Sequence, residues 1–164
     1  MKQKKLPGFT LVEILVVVAL IAILATITIV ALNPAKNFAD TRNAKRSAHV
    51  NTILDAVTQY TSEEANSVTT LEAATHGARI INLTFPDCTT GTPAIIGSDT
   101  SATQFDLRAA LVSNYVVAIP IDPAGTGAGD GAAAYNSGYT ICKTGSRIQI
   151  AAPSAEGTTI IVKR

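Results

Sequence analysis

Glu13 is the most unusual side chain in this sequence, because it is a carboxylate inside a long apolar segment. That segment runs from Phe9 to Leu32 and contains no other charged residue. A charge at the centre of a bilayer costs about 2.5–3.5 kcal/mol on insertion scales, and such residues usually have a function. Glu13 lies only about 6 Å along a helix from Phe9, so a membrane would hold it near the headgroups. Its charge becomes costly when the helix is buried in a drier environment; an interfacial glutamate without a role is the alternative.

Two cysteines, Cys88 and Cys142, form the second set of reactive side chains. They are 54 positions apart, and neither a Cys-x-x-Cys pair nor a Cys/His cluster accompanies them. This spacing argues against zinc binding and against thioredoxin-type chemistry. In an exported domain we expect them to pair, and closing a loop of this length would contribute roughly 4 kcal/mol. Two separate buried thiols are the alternative.

Other side chains that bind metals or transfer protons are sparse. Asp122 and Asp130 are weak calcium candidates, since two carboxylates fall short of the roughly six to eight oxygens that calcium takes. The glycine-rich segment 125–131 lacks the Gly-Lys-Ser/Thr of a phosphate loop and the strand and helix that flank a dinucleotide loop, so we predict a flexible loop. His49 and His76 have no partner at ligand or catalytic spacing and are predicted to be surface or partly buried residues.

Composition and motifs argue against catalysis and against nucleic-acid binding. The sequence contains no Gly-x-Ser-x-Gly, His-Glu-x-x-His or Walker motif, so we expect no enzymatic activity and no cofactor. Its 13 basic and 12 acidic residues give a net charge of +1. Without the three lysines that precede Phe9, the balance is 10 against 12, or −2. Such a balance does not indicate an electrostatic nucleic-acid binder.

The apolar segment is long enough to cross a membrane. As a helix, its 24 residues would extend roughly 36 Å, against a hydrocarbon core of about 30 Å. Valine and isoleucine dominate it, and such residues form a mediocre helix in water, whereas in lipid the backbone has no other way to satisfy its hydrogen bonds. Apolar residues lie on all sides, as expected of a helix surrounded by lipid or by identical neighbours.

The N-terminus combines a lysine-rich leader that ends in Gly8, the sequence Phe-Thr-Leu-Val-Glu at 9–13, and the apolar segment. Over residues 1–32 it resembles the class III signal of type IV pilins and pseudopilins. The resemblance implies that prepilin peptidase cuts between Gly8 and Phe9 on the cytoplasmic side and methylates the new Phe9 amine. It also implies that Glu13, the fifth mature residue, pairs with this amine on another subunit. A methylated α-amine still carries charge, which makes the pairing physically sensible.

Two alternatives concern this N-terminus. An ordinary secretory signal would have an apolar region of about 7–15 residues and an Ala-x-Ala-like site, whereas this segment is longer and has no such site before Asn33. The second alternative concerns the orientation of the segment in the membrane. The positive-inside rule does not decide it, because lysines and arginines both precede and follow the segment. A cytoplasmic leader with an external body therefore follows from the resemblance.

After the apolar segment, Asn33-Pro34 predicts a kink or break, because a residue before proline avoids helical angles. A helical pattern then continues to about Tyr60, with one apolar face formed by Val50, Ile53, Leu54, Val57 and Tyr60. A charged stretch precedes this face and contains Asp40, Arg42, Lys45 and Arg46. We predict a solvated surface there; salt bridges between packed subunits or a location near lipid headgroups are the alternatives.

The remainder predicts a small α+β head. Thr69 and Glu72 match a capping box for a helix over 69–81, and a second short helix is predicted over 103–115. The segment 86–103, around Cys88, has the composition of a loop. Three predicted antiparallel strands follow at 139–143, 147–151 and 158–163, with Ile148 and Ile150 facing the upper helix. The Pro-x-Asp-Pro ending at 120–123 is similar to pilin heads, many of which also carry a disulfide.

The sequence therefore predicts an α+β, pilin-like fold with a leader (1–8), a transmembrane and assembly helix (9–32), its amphipathic continuation (33–62) and a head (63–164) on three or four antiparallel strands. The resemblance implies a type IV pilus subunit for adhesion, motility or DNA uptake, moving from the inner membrane to an extracellular filament. Its implied partners are prepilin peptidase, other pilins, an assembly platform and lipid. A pseudopilin of a secretion or competence system and a tethered monomeric binding domain are the alternatives.

Overall fold

A computed structural model describes residues 8–63, 67–74, 84–98, 104–112, 114–125 and 135–164. The chain divides into two compact units, Met1–Ala39 and Asp40–Arg164. The first unit contains helix α1 (Leu11–Leu32) and the start of helix α2 (Pro34–Ser62). The second contains the rest of α2 and all later elements. The lysines of the leader lie outside the described residues.

The break between α1 and α2 is caused by Asn33 and Pro34. Asn33 has left-handed backbone angles (φ 39°, ψ 68°), which end α1. Pro34 begins α2, a position where its missing N–H would have no helical partner anyway. The side chain of Asn37 donates to the free carbonyl of Leu32 over 2.8 Å. The predicted break at Asn33-Pro34 is confirmed.

The C-terminal part of α2 forms one side of the hydrophobic core. Its predicted apolar face is confirmed, since Val50, Ile53, Leu54 and Val57 are buried and Tyr60 is half-buried. These residues share one hydrophobic cluster with the inner face of the sheet, including Ile148 and Ile150 as predicted. A small sheet needs such a cover to be stable, because an uncovered apolar face would remain in water.

The sheet has five strands in the order β2-β1-β3-β4-β5. They are β1 (Ala94–Gly97), β2 (Gln104–Phe105), β3 (Asn136–Thr144), β4 (Arg147–Ala152) and β5 (Ile160–Lys163). The meander β3-β4-β5 is antiparallel, as is β1 with β3, whereas β1 and β2 are parallel. The α+β class with a long N-terminal helix is confirmed, but the sheet is mixed and larger than the expected three or four antiparallel strands.

Two segments account for this difference. β1 lies within 86–103, which was predicted to be a loop because the segment is rich in Thr, Gly, Ser and Asp. β2 lies near the start of the predicted helix 103–115, and within the described part of that range only α4 (Arg108–Leu111) is helical. The backbone N–H and C=O groups of β1 form hydrogen bonds with β3, which is distant in sequence. No local pattern around β1 identifies β3 as its partner.

Helix α3 (Val68–Ala74), predicted over 69–81, begins one residue earlier than predicted. Its N-terminus is capped by Ser67, whose Oγ accepts from the Thr70 N–H over 3.2 Å. Thr70 Oγ1 in turn accepts from the Ser67 N–H over 2.6 Å. The predicted start at Thr69 was wrong, because Ser67 offered an equally good cap two residues earlier. The predicted continuation over 75–81 lies outside the described residues.

Candidate functional site

The residues just before α1 form an exposed, non-helical segment. Gly8, Phe9 and Thr10 lie outside the helix, and the Phe9 side chain is 82% exposed. A Cβ built at Gly8 would have no neighbouring atom within 4 Å. The peptide bond between Gly8 and Phe9 is therefore in a part of the chain that an enzyme can reach. These are the two residues that sequence analysis selected for cleavage and methylation.

Glu13 forms a capping box with Thr10 at the start of α1. The Thr10 Oγ1 accepts a hydrogen bond from the Glu13 N–H, and Glu13 Oε2 accepts hydrogen bonds from both the N–H and the hydroxyl of Thr10. The donor–acceptor distance is 3.3 Å in each of the three bonds. Thr10 was not among the predicted site residues, although Thr-x-x-Glu ahead of an apolar run is a known helix-start signature. The carboxylate is thus oriented by its own first turn, where the helix dipole also favours negative charge.

The capping box leaves the charge of Glu13 without a cation. Both of its partners are neutral donors on Thr10, and no basic side chain in the described ranges forms an ion pair with it. A neutral cap orients a carboxylate but does not neutralise it. An amine created at Phe9 would supply the missing opposite charge, on this chain or on a second copy.

Helix α1 has no buried residue. Its large apolar side chains are about half or more exposed, from Val17 at 48% to Leu11 at 80%. Its two threonines satisfy their hydroxyls internally, because Thr26 donates to the Ala22 carbonyl and Thr28 to the Leu24 carbonyl, each over 2.8 Å. By length and composition this is a helix that can cross a membrane. Its surface must be covered by lipid or by other apolar helices.

In the head, a buried ion pair joins α2 to the segment before β3. Arg46 and Asp122 are each 1% exposed in their side chains, and they bond through two contacts, Nε to Oδ2 at 2.7 Å and Nη2 to Oδ1 at 3.0 Å. This side-on geometry is the strong bidentate form. The prediction of a solvated surface is therefore wrong for Arg46, because its partner lies 76 positions away in sequence and could not be identified from local spacing.

A second set of contacts fastens the loop between β4 and β5 to the same face of α2. Glu156 accepts from Arg42 through two bonds, at 2.6 and 2.5 Å, and from Arg46 Nη1 at 3.1 Å. Asn43 bonds the Glu156 backbone twice, accepting from its N–H and donating to its carbonyl. We call Arg42, Asn43, Arg46, Asp122 and Glu156 the α2 clasp.

The arginines and carboxylates of the α2 clasp remain ionised at neutral pH. Burial opposes ionisation of Asp122, but hydrogen bonds from Arg46 and the Ala124 N–H outweigh it, so the pKa of Asp122 lies below its ordinary value. Hydrogen bonds from Arg42 and then Arg46 lower the pKa of Glu156 to about 2. The Asp122 hydrogen bond raises the pKa of Arg46 even though burial opposes this. Each group thus favours the ionised form of its partner.

The same contacts bear on the calcium hypothesis. Both oxygens of Asp122 are engaged, Oδ1 by Arg46 and the Ala124 N–H and Oδ2 by Arg46, so the carboxylate faces a cation of the protein itself. The described residues contain no group of three or more His, Cys, Asp or Glu that could hold a metal ion. Asp130 lies outside the described residues, as does most of the glycine-rich segment 125–131. The geometry of Asp122 therefore does not fit a calcium ligand.

A glycine makes room for Asp122. Gly138, in β3, has φ of +79°, and a Cβ there would lie 2.7 Å from the Asp122 Cβ. Only glycine combines this backbone angle with so close an approach.

Next to Gly138, Tyr139 is buried and its hydroxyl lies 2.8 Å from His49 Nδ1. Burial raises the pKa of Tyr139, and the charge of Asp122 adds to this. His49 is half-buried, as predicted; His76 is outside the described residues.

Cys88 and Cys142 form a disulfide in the structure, with Cα atoms 5.2 Å apart. It joins the segment before β1 to β3. Backbone bonds reinforce this junction, since the Cys88 N–H donates to the Lys143 carbonyl and the Lys143 N–H donates to the Pro86 carbonyl. A disulfide of this kind belongs to proteins that fold in an oxidising compartment.

These observations define a class of protein: an α+β head in a chain that begins with an accessible cleavage segment and one exposed apolar helix. A family profile described as the prokaryotic N-terminal methylation motif matches residues 5–29. The matched motif is the class III signal of type IV pilins and pseudopilins, and it supports a pilin-like or pseudopilin-like substrate of prepilin peptidase. The signal and the helix indicate anchoring in a membrane. Searches of curated proteins and of solved structures each gave no match.

Processing gives the first testable prediction. Mass spectrometry of the mature chain is expected to show an N-methylated Phe9 at the amino terminus. Gly8→Leu should trap the uncut chain, because a bulky residue would clash in the peptidase, whereas nothing in the chain itself contacts this position within 4 Å. Gly8→Ala, a smaller change, serves as the graded control. A functional protein that still begins at Met1 would contradict the prediction.

Proposed function

We propose that the chain is the structural subunit of a type IV pilus filament. It inserts into the inner membrane with its head outside, is cleaved and methylated by prepilin peptidase, and is then assembled by a membrane platform with identical and related subunits. The extracellular filament serves adhesion, motility or DNA uptake. The observation that carries this proposal is Glu13, an oriented carboxylate with no cationic partner among the residues that the structure describes, at the start of a wholly exposed apolar helix.

The apolar helix supports assembly, because its exposed surface can be covered either by lipid or by the same helix of neighbouring subunits. Lipid covers it before assembly, and neighbouring copies of the same helix cover it afterwards. Lipid chains and leucine side chains are similarly apolar, so helix association in this setting depends on packing and on polar pairs. The helix supplies the packing surface, and Glu13 supplies the polar group.

The charge of Glu13 supports a defined stagger between copies. In a filament core, a carboxylate or ammonium buried alone would cost about 3–5 kcal/mol, whereas the two placed together compensate each other. Only one axial offset between neighbouring helices brings a Phe9 amine beside Glu13. Subunit register would therefore follow from the cost of leaving either charge alone.

Features of the head are compatible with a pilus subunit, and a pseudopilin is the alternative. The disulfide and the α2 clasp give the head covalent and ionic fastening suited to an exposed filament. Asp122, a candidate for the calcium site found in some pseudopilin heads, is bound to Arg46 instead. The membrane-tethered monomer remains a distinct hypothesis, and it predicts that Glu13 is dispensable.

Electron microscopy of material sheared from native cells tests the proposal. Filaments that bind an antibody against the head are expected from cells with the wild-type chain, and none from cells whose only copy carries Gly8→Leu. Long surface filaments support the pilus, whereas short filaments confined to the cell envelope would identify a pseudopilin. A processed chain that stays monomeric in the membrane would overturn both assignments.

A further inference from the structure

The outer face of the sheet contains a cleft lined mainly by polar and charged residues. Its volume is about 270 Å³, and it is lined by Cys88, Thr89, Thr144, Arg147, Gln149 and Lys163. We propose that this cleft binds a phosphate dianion, either free or as the monoester of a sugar. The proposal concerns the head surface and is independent of filament assembly.

Strand register places the two cations of the cleft side by side. Gln149 of β4 is opposite Lys163 of β5, and Arg147 is two residues before Gln149 on the same face. Arg147 and Lys163 are thus diagonal neighbours, whose Cβ atoms in such sheets are within about 8 Å. The intervening Ile148 is buried on the opposite, inner face, so Arg147 and Gln149 both point outward. Two long basic side chains at this separation can reach one ligand.

Neutral donors surround these cations. Thr144 of β3 is directly opposite Arg147, and the amide of Gln149 lies between the two charges. The disulfide positions the remaining side of the cleft. Cys142 is opposite Gln149, and its bond to Cys88 places the neighbouring Thr89 at the edge of the cleft. The lining thus combines a planar guanidinium, an ammonium, a hydroxyl and an amide, all of which donate hydrogen bonds.

Both cations of the cleft are available to a ligand. Neither Arg147 nor Lys163 forms an ion pair with any acidic residue that the structure describes, and both are exposed. Arg42, Arg46, Arg108 and Arg164, by contrast, each contact a carboxylate.

Asp87 is the acidic residue beside the cleft wall. Its Oδ1 accepts from the Thr89 hydroxyl at 2.6 Å and from the Thr89 N–H at 2.7 Å. These bonds lower the pKa of Asp87, and the carboxylate is not part of the cleft lining. The hydroxyl of Thr89 is therefore committed, and the donors left for a ligand are those of Arg147, Lys163, Gln149 and Thr144.

The charge of the cleft selects among anions. A phosphate monoester carries a charge of about −1.5 to −2 at neutral pH, which matches two monovalent cations. An arginine fork binds two oxygens of such a group at once, and lysine adds a point charge at a third. A carboxylate would match only one of the two cations. The free Thr144 and Gln149 donors suit the hydroxyls of an attached sugar.

Titration of the full chain in neutral detergent tests this site. Inorganic phosphate, glucose 6-phosphate and acetate are added in turn at pH 7.5 and low salt, and the NMR signals of the Arg147 Nε–H and the Gln149 side-chain amide are followed. Saturable shifts are expected with both phosphates, and at least about fivefold weaker binding with acetate, since one of two charge-assisted contacts is lost. Tighter binding of the ester identifies a sugar phosphate as the ligand, and equal binding identifies free phosphate.

Paired variants locate the binding. Arg147→Gln with Lys163→Gln should weaken phosphate binding about tenfold or more, because both charge-assisted contacts are lost. Lys45→Gln, which removes one exposed cation from α2, should change it less than about twofold, as expected for a distant screened charge. Unchanged thermal unfolding of the double variant verifies that the head is intact. Absence of saturable binding to either phosphate, or equal weakening by Lys45→Gln, would overturn the proposal.

Discussion

Glu13→Gln is expected to abolish filament assembly while leaving the chain cleaved, methylated and inserted in the membrane. Glutamine retains the side-chain oxygen that accepts from the Thr10 N–H, so the capping box and the start of α1 persist. What disappears is the negative charge. In the assembled core this leaves each Phe9 ammonium buried without a counter-ion, at a cost of about 3–5 kcal/mol per subunit contact. A penalty of this size weakens subunit association roughly 10²–10⁴-fold.

The measurement compares the amount of chain in the sheared filament fraction with that in the membrane fraction, and mass spectrometry verifies the Phe9 terminus of the variant. Thr10→Ala is the matched control, because it removes the cap hydroxyl and keeps the charge. It should cost about 0.5–2 kcal/mol of helix-start stability and still assemble. If Thr10→Ala abolishes filaments while Glu13→Gln does not, Glu13 acts as a cap rather than as a counter-ion.

Arg46→Met is expected to destabilise the head by about 3 kcal/mol, because it leaves Asp122 buried and ionised without its partner. This is the lower end of the range for breaking a buried pair, since the Ala124 N–H continues to donate to Asp122. The loss would be measured from urea unfolding of the full chain in neutral detergent, followed by circular dichroism. Removal of both charges, in Arg46→Met with Asp122→Asn, should recover part of the lost stability.

An exposed ion pair provides the control for this effect. Arg164 contacts Asp55, but their side chains are 58% and 62% exposed. Arg164→Met should therefore change the unfolding free energy by less than about 1 kcal/mol. Equal effects of Arg46→Met and Arg164→Met would show that burial gives the Arg46–Asp122 pair no special weight. In that case the α2 clasp would not be what fastens α2 to the head.

Local sequence pattern was sufficient for most of the features whose physical cause is local. The apolar run, the Asn33-Pro34 break, the apolar face of α2 and the β3-β4-β5 meander all follow from residue type, spacing and short connections. The processing segment is also local, because a peptidase reads an accessible stretch of chain. Thr10 belongs to this group, and the Thr-x-x-Glu signature would have identified it.

Long-range partners were beyond local pattern. β1 was predicted as loop, and it becomes a strand because β3, some forty residues later, supplies its hydrogen bonds. Asp122 is only a weak calcium candidate by sequence, and in the structure it is bound to Arg46, 76 positions earlier. Gly138 has no evident purpose in sequence and is required because Asp122 approaches it so closely. In each case one residue's role is defined by a second residue that is distant in sequence.

The sequence by itself determined that this protein has an apolar helix with one acid near its start, a methylation motif over residues 5–29 and a small α+β head, because hydrophobic periodicity and short motifs depend on residues that are close together in the chain. Only the tertiary structure decided which charges are buried together and which remain open to solvent. Folding pairs Arg46 with Asp122 and leaves Arg147 and Lys163 exposed over a polar cleft. The free energy of a charge depends on its burial and its neighbours, and both of these exist only after the chain has folded.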